Sequence, residues 1–393
     1  MATSPLPDPD AVAGTSIKRR RLTQHQVNFN VQEEVLIPGL PDHIAQICLS
    51  SVHPSVLYSV SRSWRSLISS PSFQPYLSLY ALLSPAESNG DVKRLSMEDT
   101  GKKSVEFFSF DPIMCKWTQL PPRPRAIRFT VQHRSFLSLN LPIQSVSVAG
   151  KLVVVAATDP VMLPALDSPL IFDPAQRSWT YGPEMAHPRR WCAAGSANES
   201  VYVASGVGSQ FKTSVARSVE RWRFGGESER KRKRRWEKMR TMKDARLSRE
   251  AVEAVGCRGK LFMVNVKGNA AKEGFVYNTV MDEWEEMKVG MLGGWRGPAA
   301  AMDEEEIFMV DERRGVLMRY EWERDAWSEV VESDKLKGAE QMAAAGGRVC
   351  VVGGGGGIVV VNVVCGTPSV WVVETPSGLR ANTVHVLPRM MSD

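Results

Sequence analysis

Six tryptophans set a ruler along most of the chain: Trp117, Trp179, Trp236, Trp284, Trp327 and Trp371 are separated by 62, 57, 48, 43 and 44 residues. Intervals of that size point to one supersecondary unit repeated, because such a unit cannot cover its own apolar face and must stack on a copy of itself. The text around the tryptophans repeats as well. F-D-P-I-M-C-K-W-T-Q-L-P at 110–121, F-D-P-A-Q-R-S-W-T-Y-G-P at 172–183, Y-N-T-V-M-D-E-W-E-E-M at 277–287 and Y-E-W-E-R-D-A-W-S-E-V at 320–330 share one plan. An aromatic closes a strand, a polar turn follows, and tryptophan opens the next strand.

Upstream of each plan lies a further strand, among them K-L-V-V-V-A-A at 151, V-Y-V-A-S-G at 201, K-L-F-M-V-N-V at 260, E-I-F-M-V-D at 306 and R-V-C-V-V-G-G at 348. Before that come small-residue strands, W-C-A-A-G-S at 191, G-P-A-A-A-M at 297 and M-A-A-A-G-G at 342, suited to a crowded central axis. Four strands per repeat make a propeller blade. The pattern resembles a kelch-repeat β-propeller, although the family's Gly-Gly survives only at Gly353 and Gly354, with a single Gly206 elsewhere. Five blades are complete. The strands near residue 104 and Trp117 lack predecessors and T-V-H-V-L at 383 lacks successors, so joining them gives about six blades and a closed ring without free edges.

The segment before the repeats has a helical texture. Leu40, Ile44, Ile47 and Cys48 recur at three- and four-residue spacing behind Pro41 and Asp42, and Val56, Leu57, Val60, Trp64, Leu67 and Ile68 keep that spacing until Pro71. A unit this small is either part of a larger core or a docking module whose second apolar face belongs to a partner. L-P-D-H-I-A-Q-I-C-L-S at 40–50 followed by V-S-R-S-W-R-S-L-I-S-S-P-S-F at 60–73 resembles an F-box in its plant form, with Ile44 where leucine is commoner and Ser50-Ser51-Val52 a polar exit where many members have Arg-Leu-Pro. The expected organisation is a disordered basic tail over 1–34, an all-α F-box over 35–80, a linker over 81–102 and a mainly β propeller over 103–390, with a basic loop inserted at about 224–235.

In that order the two modules resemble the plant F-box/kelch-repeat proteins, which implies a substrate-recognition subunit of an SCF-type ubiquitin ligase. The F-box would bind a Skp-type adaptor and through it a cullin, and the propeller would bind the protein to be ubiquitinated. Leu40, Pro41, Ile44, Ile47, Trp64, Leu67 and Ile68 are the adaptor-contact candidates, an aromatic among aliphatics being a common hot-spot composition, with Trp64 the first choice for the module's own core. A receptor of this kind needs no catalytic residue, since it acts by proximity. The alternative is a kelch scaffold that binds protein partners or nucleic acid without a ligase.

Other chemistries find little support in the residue pattern. Six scattered cysteines without a C-x-x-C pair and no histidine pair at ligand spacing argue against metal or disulfides, and point to a reducing compartment, nucleus or cytoplasm. Gly353–Gly357 lies between valine-rich strands with no helix to follow, so no phosphate cradle and no cofactor are expected. The uncharged run Val349–Val373 holds those glycines, Pro368 and many β-branched residues, and fits paired strands better than a membrane helix. The N-terminus lacks a signal-peptide pattern.

The net charge of +6 has a local origin. Between Arg221 and Arg246 twelve Lys or Arg face four Asp or Glu, a net of +8 that leaves the rest of the chain at −2. The core of that segment, E-R-K-R-K-R-R-W at 229–236, admits three readings: a solvated hairpin loop, a nuclear-import signal, or a nucleic-acid contact, the last disfavoured by the absence of interleaved aromatics. The import candidates are Lys231, Arg232, Lys233, Arg234 and Arg235, with a second cluster at Lys18, Arg19, Arg20 and Arg21.

Overall fold

The computed structural model describes residues 36–50, 52, 57, 59–68, 77–86, 105–112, 115–124, 129, 143–159, 161, 163–209, 215–224, 235–243, 252–265, 273–364 and 367–390. The chain divides into two compact units between Phe73 and Gln74. The first is helical. Pro41 presents its carbonyl to the amides of Ile44 (3.0 Å) and Ala45 (2.9 Å), opening the helix Asp42–Ser50. Ser61 caps the helix Arg62–Ile68, its hydroxyl accepting from the Trp64 amide at 3.1 Å. Leu49, Leu57 and Leu67 are buried between these helices, with Leu36, Ile37, Val52 and Trp64 around them.

The second unit is a ring of six four-stranded antiparallel blades. From the axis outward, blade one is Ile143–Val148, Lys151–Ala157, Leu170–Asp173 and Ser178–Tyr181; blade two is Ala193–Ala197, Ser200–Ala204, Val219–Arg223 and Glu237–Lys238. Blade three is Val252–Cys257, Lys260–Asn265, Gly274–Asn278 and Glu283–Glu286; blade four is Ala299–Met302, Glu306–Asp311, Val316–Glu321 and Ala326–Glu332. Blade five is Ala339–Ala345, Arg348–Gly353, Ile358–Asn362 and Ser369–Val373. The small-residue strands at 193, 299 and 339 are innermost, as expected. Space explains their composition: a methyl added to Gly256 would lie 1.7 Å from the Ser196 carbonyl oxygen of the neighbouring blade.

Blade six joins the two ends of the unit. Its inner strand is the C-terminal Leu379–Pro388, followed outward by Leu77–Pro85, Glu106–Asp111 and Lys116–Gln119. Residues 77–85 therefore correct the sequence reading, which gave them to the end of the F-box and the start of a linker. The strand L-S-L-Y-A-L-L-S-P is buried over its middle seven residues, so its apolar run shows no alternation and cannot be told from a helix by period. It is the missing second strand of the closing blade, pairing Tyr80 with Ser109 on one side and with His385 on the other.

The repeated text has a repeated use. Phe110, Phe172, Tyr277 and Tyr320 stand directly across from Trp117, Trp179, Trp284 and Trp327, with ring centroids 5.2, 5.1, 5.0 and 5.3 Å apart. These four tryptophans and Trp236 then reach the chain leaving the preceding blade. Trp117 donates its indole N–H to Glu374 O (2.8 Å), Trp179 to Pro121 O (2.9 Å), Trp236 to Pro183 O (3.0 Å), Trp284 to Arg240 O (3.1 Å) and Trp327 to Met291 O (3.0 Å). In blades three and four the turn aspartate joins in: Asp282 accepts from Tyr277 Oη and the Arg240 amide, and Asp325 from Tyr320 Oη and the Gly290 and Met291 amides. A tryptophan at the outer strand thus ties five of the six blades to the one before, blade five being the exception among the described residues.

The basic insertion leaves blade two between its paired third and fourth strands, where Arg221 opposes Glu237. Trp222 and Trp236 still meet across that hairpin, ring centroids 5.9 Å apart and planes tilted by 50°. Arg235 is exposed; Lys231, Arg232, Lys233 and Arg234, like the tail with Lys18, Arg19, Arg20 and Arg21, lie outside the described residues.

Candidate functional site

The helical unit keeps one apolar stripe in solvent. Its buried side uses Ala45 and Leu49 of the first helix, and the opposite side leaves Leu40 and Ile44 each 37% exposed, with Pro41 and Cys48 also open. Leu40, Ile44 and Cys48 follow i, i+4 spacing and so share a face, and the exposed Pro41 adjoins it at the start of the helix. Val60 is 55% exposed and joins the exposed apolar set; the sequence placed it in the helical period without selecting it as a contact. Burying a side chain of this kind against a partner is worth about 1.5–3 kcal/mol when complete.

Two other candidates face inward. Leu67 is 7% exposed and packs with Leu49 and Leu57. Trp64 is half-buried, and its indole N–H donates to Leu36 O at 2.6 Å, which makes it a brace of the unit. The side chains of Ile47 and Ile68 lie outside the described set.

In the propeller, six inner strands surround a channel of about 500 Å³. Alanine, glycine and serine dominate its wall, with polar stitches at the closing junctions. Gln341 of blade five binds both backbone groups of Val384 on the C-terminal strand, its Oε1 accepting from the amide at 2.7 Å and its Nε2 donating to the carbonyl at 3.3 Å. His385 then holds Ser145 and Ser147 of blade one, and Ser196 of blade two donates to Ser147 O at 2.8 Å. Burial alone pushes the His385 imidazole down to about 4, so this serine–histidine contact is a poor general base and a sound structural tie. Burial likewise pushes the Cys192, Cys257 and Cys350 thiols up to about 12, far from a nucleophilic thiolate.

A charged cluster that sequence did not single out lies where blade one passes to blade two. The short strand Arg189–Arg190 pairs with Val207–Gly208. Arg189 is buried, ion-paired with Glu220, and donates to Ser218 Oγ (2.8 Å), Ser205 O (3.1 Å) and His187 O (3.3 Å). Trp191 adopts the left-handed φ of 52°, with the Arg190 guanidinium 4.4 Å from its ring centroid. In blade one, Asp159 Oδ1 accepts the amides of Val161 (3.0 Å) and Leu163 (2.7 Å), shaping a loop whose Val161 is 71% and Leu163 44% exposed. The two-residue strand pairing that buries Arg189 and Arg190 leaves no pattern in the sequence.

Among the described residues no group of three metal-ligating side chains converges, and no helix is long and apolar enough to cross a membrane. No family model matches the chain. It is 47% identical over 381 residues, 95% of this chain and 93% of the relative, to the F-box/kelch-repeat protein SKIP25 of Arabidopsis thaliana. The chain belongs to the F-box/kelch-repeat family. A second Arabidopsis thaliana relative, the F-box protein AFR, is 23% identical over 329 residues, 80% of this chain and 79% of that one. In this F-box/kelch-repeat protein the exposed apolar stripe lies on the helical unit, and the exposed loop residues Val161 and Leu163 lie on the propeller.

Proposed function

We propose that this F-box/kelch-repeat protein is the substrate-recognition subunit of an SCF-type ubiquitin ligase. The observation that carries the proposal is the division of labour on the F-box. One side of its first helix completes a core with Leu49, Leu57 and Leu67, while Leu40, Pro41 and Ile44 stay in solvent, an arrangement suited to a Skp-type adaptor. The adaptor links the chain to a cullin. The propeller holds the protein to be modified, and its loops around Val161, Leu163 and Trp191 offer the apolar and aromatic groups that anchor protein interfaces.

On this reading the chain does no covalent chemistry and acts by raising the concentration of substrate lysines near the ubiquitin carrier. The basic clusters Lys18–Arg21 and Lys231–Arg235 give it a nuclear address in addition to the cytoplasm. Co-purification of the full chain with a Skp adaptor and a cullin tests the proposal. Recovery of both supports it, and a chain that folds but captures neither at adaptor concentrations in large excess removes it. Proximity labelling by the intact chain and by a chain lacking the F-box, with degradation blocked, then identifies the protein that the propeller holds.

A further inference from the structure

Blade five breaks the pattern of the other five at its outer strand, Ser369–Val373. Its tryptophan, Trp371, faces a valine, Val360, rather than an aromatic. Where Trp117, Trp179, Trp236, Trp284 and Trp327 bind a carbonyl of the preceding blade's exit, Trp371 is 39% exposed and its indole N–H has no acceptor among the described residues. Val372, next to it, is 38% exposed, and Val364, in the connection leading to this strand, is 72% exposed. Among the described residues the strand pairs only with Ile358–Asn362, which leaves its other edge open.

Open edges are ordinarily guarded by charge. Glu283–Glu286, Ala326–Glu332, Glu237–Lys238 and Lys116–Gln119 all carry ionised side chains on their outer strands. Ser178–Tyr181 carries none, but its Trp179 is buried and latched to Pro121. Blade five has no such guard. From Val349 to Val373 the sequence holds no charged residue at all.

We propose that this strand pairs, antiparallel, with the same strand of a second copy of the chain. Val370-Trp371-Val372 reads the same in both directions, so a two-fold axis through Trp371 sets Val370 opposite Val372 twice and the two indoles across from each other. The nearest like charges are kept apart by the same geometry. Each Glu374 falls at an opposite end of the ladder, across from the partner's Pro368, which has no N–H and ends the pairing there. Five residues a side make a small contact, below the area of a permanent dimer, so the association is weak and concentration-dependent. If the F-box binds an adaptor as proposed above, the dimer carries two such sites; the pairing itself does not depend on that reading.

Sedimentation velocity of the full chain over a dilution series from high micromolar to nanomolar tests it. The wild type is expected to pass from dimer to monomer on dilution, and Val372→Lys to remain a monomer throughout with an unchanged melting temperature. Amide exchange over 369–373 in the wild type should slow as concentration rises, which decides the matter even if the lysine variant folds poorly. A wild type that is monomeric across the series, or a folded Val372→Lys chain that dimerises equally well, overturns the proposal.

Discussion

His385 on the C-terminal strand is held by two serines of blade one, with Nε2 2.8 Å from Ser145 Oγ and Nδ1 3.1 Å from Ser147 Oγ. The residues are some 240 positions apart, and the contact spans the junction where the last strand of the chain meets the first complete blade. Gln341 makes the corresponding tie on the other side of the same strand. Blade six alone among the blades draws its strands from both ends of the unit, so its inner strand is held by strand pairing and these side chains rather than by a hairpin to its neighbour in the sheet.

Acid should loosen this junction. An unfolded imidazole protonates below pH about 6.5, whereas the buried His385 refuses the proton until about 4, so the unfolded state binds more protons within that window and stability falls as pH falls through it. At about 1.4 kcal/mol per pH unit the loss reaches up to about 3 kcal/mol. Melting temperature measured from pH 7 to pH 4 should show this slope, and His385→Gln, which keeps hydrogen-bonding capacity but does not titrate, should flatten it.

The C-terminal strand is expected to be indispensable. Besides its ladder with Leu77–Pro85 it is fastened by Tyr80 Oη on Pro388 O at 2.8 Å and, just beyond it, by Arg389 on Asp111 at 2.6 Å. Ending the chain after Thr375 strips the inner strand from blade six and exposes the faces of blades one and five. Loss of a cooperative thermal transition is the expected outcome. A peptide covering residues 376–393, added during refolding, should restore it in part.

The tryptophan latches give a graded series. Trp284→Phe keeps a ring against Tyr277 but leaves Arg240 O without its donor, and should cost about 1 kcal/mol in denaturant unfolding. Trp371→Phe removes no such bond and should leave stability nearly unchanged.

Breaking the buried pair between blades one and two should be severe. Arg189→Met strands the Glu220 carboxylate, which is 4% exposed, and the expected loss is about 3–5 kcal/mol. Replacing both residues with apolar ones should recover a large part of that. Equilibrium unfolding of the single and double variants checks the cycle.

The blades were readable from the sequence because their signals are local. Aromatic, turn and tryptophan fall within eight residues, and small inner-strand residues precede them at regular distance. The second strand of blade six was missed because its partners, Ser109 and His385, both lie downstream, the latter near the far end of the chain, and because a strand buried on both faces has no period to read. On the F-box, spacing identified the exposed Leu40, Pro41 and Ile44, but it could not tell them from Leu67, whose face is decided by packing against Leu49 and Leu57. The Arg189–Glu220 pair lies 31 residues apart and depends on a two-residue strand, below what pattern reading resolves.

The affinity of the full chain for a purified Skp adaptor, compared with that of a Leu40→Ala/Pro41→Ala/Ile44→Ala variant, bears most directly on the account. Calorimetric titration should show tight binding by the wild type and a loss of at least about a hundredfold in the variant, the equivalent of about 3 kcal/mol, with the propeller's melting transition unmoved. Equal affinities for the two folded chains would contradict it.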